Sequence, residues 1–301
     1  MSSRVLPVFD LLLPSNLEEA VGLLSQHGDQ AAVMAGGTDL LVGMKVGMSP
    51  AFILSLADIQ GLDYVAFDAK HGLRIGAMAT LSQVVDSKVV NDKYHALWYS
   101  AFTNGTPQTR NAGTVVGNIL RASPAGDCCC AALAHGGSVL LQGPAGKREV
   151  DLDEFWLDYR KTARKPDEVA VELKLKAPEH GYGSGFAALT RSYQDLAKIN
   201  AAARVIMDGK VCRKVRLAMG AVAPITLRLK EAEKVLTGQE VTDQLLEQMA
   251  AAVRKEVKPI DDVRSTAEYR REVAGVLAKR VVQDAIKSVA GPCPYSCFMG
   301  A

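Results

Sequence analysis

The sequence has no apolar run approaching the roughly 20 residues that a membrane-spanning helix needs, and no excess of charge of one sign. Its 35 Lys and Arg nearly balance its 33 Asp and Glu, which leaves a formal net charge of +2. A nucleic-acid binder or an acidic tail would show a stronger imbalance. A signal peptide is not indicated, because Pro7 and Asp10 interrupt the short apolar patch near the start. We therefore expect a cytoplasmic protein with no membrane span and no nucleic-acid partner.

Two common nucleotide fingerprints are also missing: no G-x-G-x-x-G opens a helix, and there is no G-x-x-x-x-G-K-[ST]. Six cysteines are present, but a disulfide framework is typical of small secreted chains, so reduced thiols or metal ligands are expected instead. The five histidines show no ligand spacing, and none is predicted to be catalytic. They are His27, His71, His95, His135 and His180.

Hydrophobic spacing predicts an α+β chain. A first helix is predicted to begin with Ser15 as its N-cap and Glu18 three residues later, before apolar residues at helical spacing. The Gly-rich stretch 178–185 is the predicted domain boundary. Further predicted elements before that boundary are strands at 31–35, 52–56, 62–67 and 72–76, a capped turn at Thr80, a loop at 103–111, a helix N-capped by Asp127 and a hairpin at 138–150. Beyond it, strands at 201–207 and 214–221 precede helices at 227–236, 243–256 and 266–289.

Two Gly-rich segments carry the chemical signal. Ala35-Gly36-Gly37-Thr38-Asp39 follows a buried strand, where glycines let backbone N–H groups approach a phosphate and Thr38 adds a hydroxyl. The segment Arg110–Asn118 has the same small-residue character. Either segment alone is equally well explained as a tight turn. Two such segments together favour one extended ligand with a diphosphate between them.

These segments resemble the signature of the FAD-binding subunit of the molybdenum hydroxylases, the xanthine dehydrogenase and carbon monoxide dehydrogenase family. The similar motifs are collinear from about residue 6 to 289, too many in order for chance. They comprise Ala35–Leu40 with Met44-Lys45, Arg74–Ala77 with Thr80-Leu81, Gln108–Asn118, Ala122–Asp127, Lys161–Ala163, Asp195–Asn200, and Tyr269–Arg271 leading to Lys279-Arg280.

The resemblance implies a fold and its bounds. The fold is a two-part FAD-binding domain of the vanillyl-alcohol-oxidase or PCMH type, followed by a C-terminal α+β domain with antiparallel strands and then helices. The FAD-binding domain would span residues 1–177, with subdomains of about 1–58 and 59–177. A C-terminal domain of the carbon monoxide dehydrogenase flavoprotein type would span 178–290, and 291–301 would form a Cys-containing tail.

The resemblance also implies the cofactor site. Asp127 would accept hydrogen bonds from FAD, and Lys198 would lie by the pyrimidine edge of the flavin, where a cation raises its potential. Without the resemblance, Lys198 would be interpreted as a solvated surface residue. The remaining implied FAD contacts are Val33, Met34, Ala35, Gly36, Gly37, Thr38, Asp39, Leu40, Thr114, Val115, Val116, Gly117 and Asn118.

The implied function is that of an oxidoreductase subunit. A large partner would hold a molybdenum–pterin centre that oxidises the substrate, and a small partner would hold two [2Fe–2S] clusters. This chain would pass electrons through FAD to an external acceptor such as NAD⁺, a quinone or ferredoxin, within a dimer of heterotrimers. A stand-alone flavin oxidase is less favoured, because no substrate-activating base is evident.

Two departures from the family pattern leave alternatives open. Val116 stands where the family has a glycine, which would hinder a phosphate if position 116 needed a positive φ. Cys128, Cys129 and Cys130 stand where the family more often has Thr or Pro, near a helix start that lowers thiol pKa. Small buried thiols are favoured. The alternatives are a non-catalytic assembly factor without flavin, or an additional Fe–S cluster built from these cysteines with Cys293 and Cys297.

Overall fold

The computed structural model describes residues 5–192 and 194–289. The chain begins with a small parallel sheet in the order β1-β3-β2. Its strands are β1 (Asp10–Leu12), β2 (Ala31–Met34) and β3 (Phe52–Ser55), joined through α1 (Leu17–His27), a 3₁₀ turn at Gly28–Gln30, and α2 (Leu40–Lys45). This unit delivers the first Gly-rich segment, which runs from the end of β2 to the start of α2.

An antiparallel sheet in the order β4-β5-β10-β6-β7 follows. Its strands are β4 (Val65–Asp68), β5 (Gly72–Gly76), β6 (Gly137–Gly143), β7 (Gly146–Asp151) and β10 (Val169–Leu175); β8 (Trp156–Asp158) and β9 (Lys161–Thr162) form a separate pair. The associated helices are α3 (Leu81–Asp86), α4 (Lys88–Lys93), α5 (His95–Phe102), α6 (Pro107–Ala112), α7 (Val115–Leu120), α8 (Asp127–His135) and α9 (Leu152–Phe155).

The last part is a second antiparallel sheet with helices behind it. Its strands are β11 (Tyr182–Leu189), β12 (Ile199–Asp208), β13 (Val211–Gly220), β14 (Leu227–Arg228) and β15 (Gln239–Glu240), and its helices are α10 (Lys230–Leu236), α11 (Asp243–Glu256) and α12 (Ala267–Val289). The α+β prediction, with antiparallel strands and then helices in the last part, is confirmed. No helix among the described residues is long and apolar enough to span a membrane.

The strand β12 is buried on both faces, and this explains its alternating side chains. Ala201, Ala203 and Val205 belong to the core shared with α11 and α12. Ala202, on the opposite face, belongs to the core of the first part of the chain, next to α8. Side chains two apart in a strand share a face. Asn200 therefore points with Ala202 towards α8, which leads to the candidate site.

Local boundaries differ from several predictions. The N-cap of α1 is Asn16, whose side chain accepts from the Glu19 N–H at 2.9 Å, while Ser15 bonds the Glu19 carboxylate. The capping pair is therefore one residue later than predicted, because an Asn side chain also caps well. Asp127 is not the N-cap of α8 but its first residue, after Gly126. The predicted loop at 103–111 contains α6, which Thr106 caps and a proline begins. The capping box predicted at Thr80 is confirmed with Gln83.

Candidate functional site: a cavity between the two glycine-rich segments

A cavity of about 1380 Å³ brings together residues from both Gly-rich segments and from the C-terminal part of the chain. Sites for drug-sized ligands usually measure about 300–1,000 Å³. The cavity is therefore large enough for an extended ligand. Of the predicted contacts, it is lined by Val33, Met34, Ala35, Gly36, Gly37, Thr38, Asp39, Leu40, Thr114, Val116, Gly117, Asn118 and Asp127.

Two predicted residues are not among those that line the cavity. Val115 is fully buried in the core, and its N–H donates to the Ala79 carbonyl at 3.3 Å. Lys198 is half-buried beside the cavity residues Asp195 and Leu196. None of the five histidines, all of which are described, lines the cavity.

The first Gly-rich segment packs directly on the main chain of the second. A β-carbon added to Gly36 would lie 1.6 Å from the carbonyl oxygen of Ala112, so no larger residue fits there. Gly37 has a φ of +68°, in the left-handed region that favours glycine. The hydroxyl oxygen of Thr38 would lie 3.2 Å from a β-carbon on Gly113. The sequence therefore needs both glycines to bring the two segments together.

Four successive N–H groups of the first segment are left without acceptors. Those of Gly36, Gly37, Thr38 and Asp39 donate to no protein group in the part of the chain that the structure describes. All four residues line the cavity. Successive unpaired N–H groups in a turn form an anion-binding concavity. The segment can therefore bind a phosphate through its backbone.

The second segment is held by a capped helix rather than an open loop. Thr114 is the N-cap of α7, and its hydroxyl accepts from the Gly117 N–H at 3.0 Å. Val116 lies inside this helix with a negative φ and is 1 % exposed. The concern that a residue with a β-carbon would be strained here is removed, because position 116 is helical. Val116 fills the core while Gly117 and Asn118 continue along the cavity.

An ion pair joins the two segments. The Nε of Arg121 lies 2.5 Å from the Oδ2 of Asp39, and both residues line the cavity. Arg121 was not among the predicted site residues, because an arginine just after a short helix carries no signal in the sequence. The pair holds the end of α7 against the start of α2.

Asp127 combines a cavity position with a buried partner. The Nδ2 of Asn200 donates to the Oδ1 of Asp127 at 2.5 Å and to the Ala125 carbonyl at 3.3 Å. Burial raises the pKa of Asp127 to about 7, although the hydrogen bond from Asn200 acts in the opposite direction. The carboxyl group therefore changes charge near neutral pH. Asn200 stood in a motif noted in the sequence, but its contact with Asp127 depends on tertiary packing.

Arg270 fastens the C-terminal side of the cavity. Its guanidinium is 2 % exposed and donates to the carbonyls of Lys198 and Ile260, at 2.9 and 2.7 Å, and to the Asp262 carboxylate at 2.8 Å. The planar fork of arginine suits this triple attachment. The Tyr269-Arg270-Arg271 motif thus positions the segment that carries Lys198. Its role could not be derived from the residues alone.

The three adjacent thiols point towards three different elements. Cys128 accepts from the Ser100 hydroxyl in α5 at 3.9 Å, Cys129 donates to the Asn118 carbonyl in α7 at 3.5 Å, and Cys130 donates to the Ala218 carbonyl in β13 at 3.2 Å. Successive helical side chains point about 100° apart. No group of three or more metal-ligating side chains occurs within residues 5–192 and 194–289. Cys293 and Cys297 lie outside the described residues.

Burial, rather than the helix N-terminus, governs these thiols. It raises the pKa of Cys128 to about 12 and the pKa of Cys129 and Cys130 well above the usual value. The expectation of a lowered thiol pKa is therefore wrong. All three side chains are fully buried and serve as packing groups in the core.

Comparisons with known proteins agree with this arrangement. The family model described as "FAD binding domain in molybdopterin dehydrogenase" matches residues 7–176, and "CO dehydrogenase flavoprotein C-terminal domain" matches residues 184–285. The carbon monoxide dehydrogenase medium chain of Hydrogenophaga pseudoflava is 30% identical, over 93% of this chain and 97% of that protein. The nicotinate dehydrogenase FAD-subunit of Eubacterium barkeri is 28% identical, over 95% and 98%.

A solved structure shows the same fold. In carbon monoxide dehydrogenase from Hydrogenophaga pseudoflava, one chain superimposes with a TM-score of 0.91 at 30% identity, covering 94% of this chain and 99% of that one. The match spans nearly the whole of both chains, so it includes both the cavity and the C-terminal sheet. Relatives of this kind are subunits of oxidoreductases. The chain therefore belongs to the family of FAD-binding subunits of molybdopterin dehydrogenases.

Proposed function

We propose that this chain holds FAD in the cavity and relays electrons from the [2Fe–2S] clusters of a partner to an external acceptor. When bound, FAD accepts and donates electrons singly or in pairs, which links one-electron clusters to a two-electron acceptor. The protein supplies binding, orientation and electrostatic tuning. Oxidation of the organic substrate would take place in a partner subunit.

The observation that carries the proposal is the row of unpaired N–H groups from Gly36 to Asp39. A diphosphate needs donors and little bulk, and this segment offers both at a point where Gly36 touches the second segment. Thr38 adds a hydroxyl. The residues present therefore fit FAD: Val33–Leu40 and Thr114–Asn118 would hold its diphosphate and adjoining parts.

Two further side chains would serve the cofactor. Asp127 offers a carboxylate oxygen to an N–H or O–H of FAD. Lys198 is anchored through its main chain, because its carbonyl accepts from Arg270 and its N–H donates to the Leu189 carbonyl. Its ammonium makes no ion pair within the described residues, so it is available to a bound anion. We propose that it lies by the pyrimidine edge of the flavin and raises its potential.

The proposal extends to the assembly. The partners would be a large molybdopterin subunit and a small [2Fe–2S] subunit, in a dimer of heterotrimers located in the cytoplasm. The proposed division is an FAD-binding domain at 1–177, made of subdomains 1–58 and 59–177, followed by a C-terminal domain at 178–290 and a tail at 291–301. The names of several relatives support a multi-subunit complex, among them "medium chain" and "6-hydroxypseudooxynicotine dehydrogenase complex subunit alpha".

The alternatives lose their main motives. A flavin-free assembly factor was suggested by Val116, which is a helical core residue that blocks nothing. An additional Fe–S cluster was suggested by Cys128–Cys130, whose thiols diverge into the core. Neither alternative gains support from the described part of the chain.

Purification from the native source tests the proposal. We expect a yellow complex that contains one FAD per copy of this chain, together with two other subunits that carry molybdenum and iron. Reduction of the clusters by the organic substrate should be followed by bleaching of the flavin band, and then by reduction of an added acceptor. A colourless chain that takes up no FAD would contradict the proposal.

A further inference from the structure

Asn200 connects the C-terminal sheet to a residue of the cavity. It is the second residue of β12, and its side chain is fully buried. Its Nδ2 reaches the Oδ1 of Asp127 at 2.5 Å, across the junction between β12 and α8. The same nitrogen donates to the Ala125 carbonyl at 3.3 Å. Both amide hydrogens are therefore directed at the turn that ends in Asp127.

The slot that holds Asn200 is fitted to an amide. A β-carbon on Gly220 would lie 2.2 Å from the Oδ1 of Asn200 and 2.5 Å from the carbonyl of Pro124, so only glycine leaves room. The Oδ1 itself is buried and has no hydrogen-bond partner. An unpaired buried oxygen lowers stability. An amide that served only to fill this slot would be a poor choice beside an apolar side chain.

Fastening the turn does not require Asn200. The N–H of Ala221 donates to the Pro124 carbonyl at 2.7 Å, and the thiol of Cys130 donates to the Ala218 carbonyl at 3.2 Å. These bonds already tie the turn and α8 to β13. What Asn200 adds is the bond to the Asp127 carboxylate.

The two oxygens of Asp127 have different surroundings. The Oδ1 is occupied by Asn200. The Oδ2 accepts no hydrogen bond from the described residues, yet it is not sealed off from solvent, and Asp127 lines the cavity. The bond to Asn200 thus fixes the rotation of the carboxylate and leaves one oxygen for a ligand.

We propose that Asn200 is a positioning residue for the cofactor site: it orients Asp127 and favours the ionised carboxylate, whose Oδ2 accepts a hydrogen bond from an N–H or O–H donor of FAD. This inference rests on the proposed function. Through Asn200, the C-terminal sheet contributes to FAD affinity without touching the cofactor. Apart from Asn200, no charged or polar group of β12, β13 or α7 shifts the pKa of Asp127, and the neighbouring thiols of Cys128 and Cys130 stay neutral.

The expected signature is the pH dependence of FAD affinity. FAD donates to the ionised form of Asp127, so affinity is high above the pKa of about 7 and falls as the pH drops through it. Asn200→Ala removes a donor that stabilises the carboxylate. The midpoint should move up by about one pH unit, which weakens FAD binding about fivefold at pH 7.

The test is titration of the flavin-free protein with FAD, followed by flavin fluorescence, between about pH 5.5 and 8.5, which brackets that pKa. Asp127→Asn should bind more weakly, with no midpoint in this range. Cys130→Ala is the matched control: it breaks another contact between α8 and β13 and should keep the wild-type midpoint. Circular dichroism shows which variants are folded.

The outcomes separate the inference from the proposed function. A wild-type protein that binds no FAD at any pH overturns the proposed function, and this inference with it. A folded Asn200→Ala variant that binds FAD with the wild-type midpoint overturns the inference alone. If that variant does not fold, Asn200→Asp keeps the shape and places a second carboxyl beside Asp127. Its midpoint should also rise, and an unchanged midpoint would overturn the inference.

Discussion

The main chain of Gly36 lies so close to the carbonyl of Ala112 that a β-carbon at position 36 would be 1.6 Å from the carbonyl oxygen. This contact joins the turn after β2 to the end of α6, and it places both Gly-rich segments on one cavity. The closeness of two backbones, rather than any catalytic side chain, creates the candidate diphosphate site.

Replacing Gly36 should therefore abolish FAD binding. Gly36→Val would force the two segments apart, because the obstacle is backbone that cannot rotate away. We expect the purified variant to lose most of its flavin, measured as FAD released on denaturation per protein chain. Gly22→Ala is the matched control, since Gly22 lies in α1 with nothing within 4 Å of the added atom. That variant should keep its full flavin content, and equal flavin in both variants would contradict the account.

Arg270 should be far more important for stability than its neighbour. Arg270→Ala removes hydrogen bonds to Lys198, Ile260 and Asp262 from a buried position, and we expect the free energy of unfolding to fall by about 2–4 kcal/mol. Arg271 is exposed, and Arg271→Ala should change it by less than about 0.5 kcal/mol. Urea unfolding of the two variants measures the difference. Similar losses for both would show that the fork of Arg270 does not fasten the loop.

The thiols of Cys128, Cys129 and Cys130 should be unreactive in the folded protein. Burial keeps them protonated, and the thiolate is the reactive form. In a Cys293→Ser, Cys297→Ser background, iodoacetamide should label these three residues only after denaturation, as read by peptide mass spectrometry. Iron analysis of the isolated chain should find none. Labelling in the native protein, or bound iron, would revive the Fe–S alternative.

The raised pKa of Asp127 should make the stability of the flavin-free protein depend on pH. Folding raises the pKa from 3.8 to about 7, so the protonated form is favoured in the folded state. This contribution is fully present below about pH 3.8 and is lost as the pH rises through about 7. Over that window, wild type should lose about 1–3 kcal/mol relative to Asp127→Asn, allowing for the side open to the cavity. Parallel pH profiles of the two proteins would contradict it.

The sequence predicts the parts of this site that local rules control. Gly36 and Gly37 after a buried strand signal close backbone approach, and Thr80 with Gln83 signals a capping box; both follow from neighbouring residues. It was less successful where two local solutions compete, as with Asn16 and Ser15 at the start of α1. Both can cap a helix, and only the backbone angles decide.

Tertiary contacts could not be predicted from these patterns. Asn200 meets Asp127 across 73 positions of sequence, and Arg270 meets Lys198 across 72. The cysteine cluster suggested reactive thiols, because a helix start lowers thiol pKa. That local effect is outweighed by burial, which depends on how β12 and β13 pack on α8.

Hydrogen–deuterium exchange of the flavin-free protein, with and without FAD, tests the central claim most directly. If FAD binds as proposed, peptides that contain Gly36–Asp39 and Thr114–Asn118 should become strongly protected, because their amides then donate to the cofactor or are covered by it. Peptides from α11, which has no part in the cavity, should be unchanged. FAD bound with no added protection at Gly36–Asp39 would show that the cofactor lies elsewhere and would contradict the account.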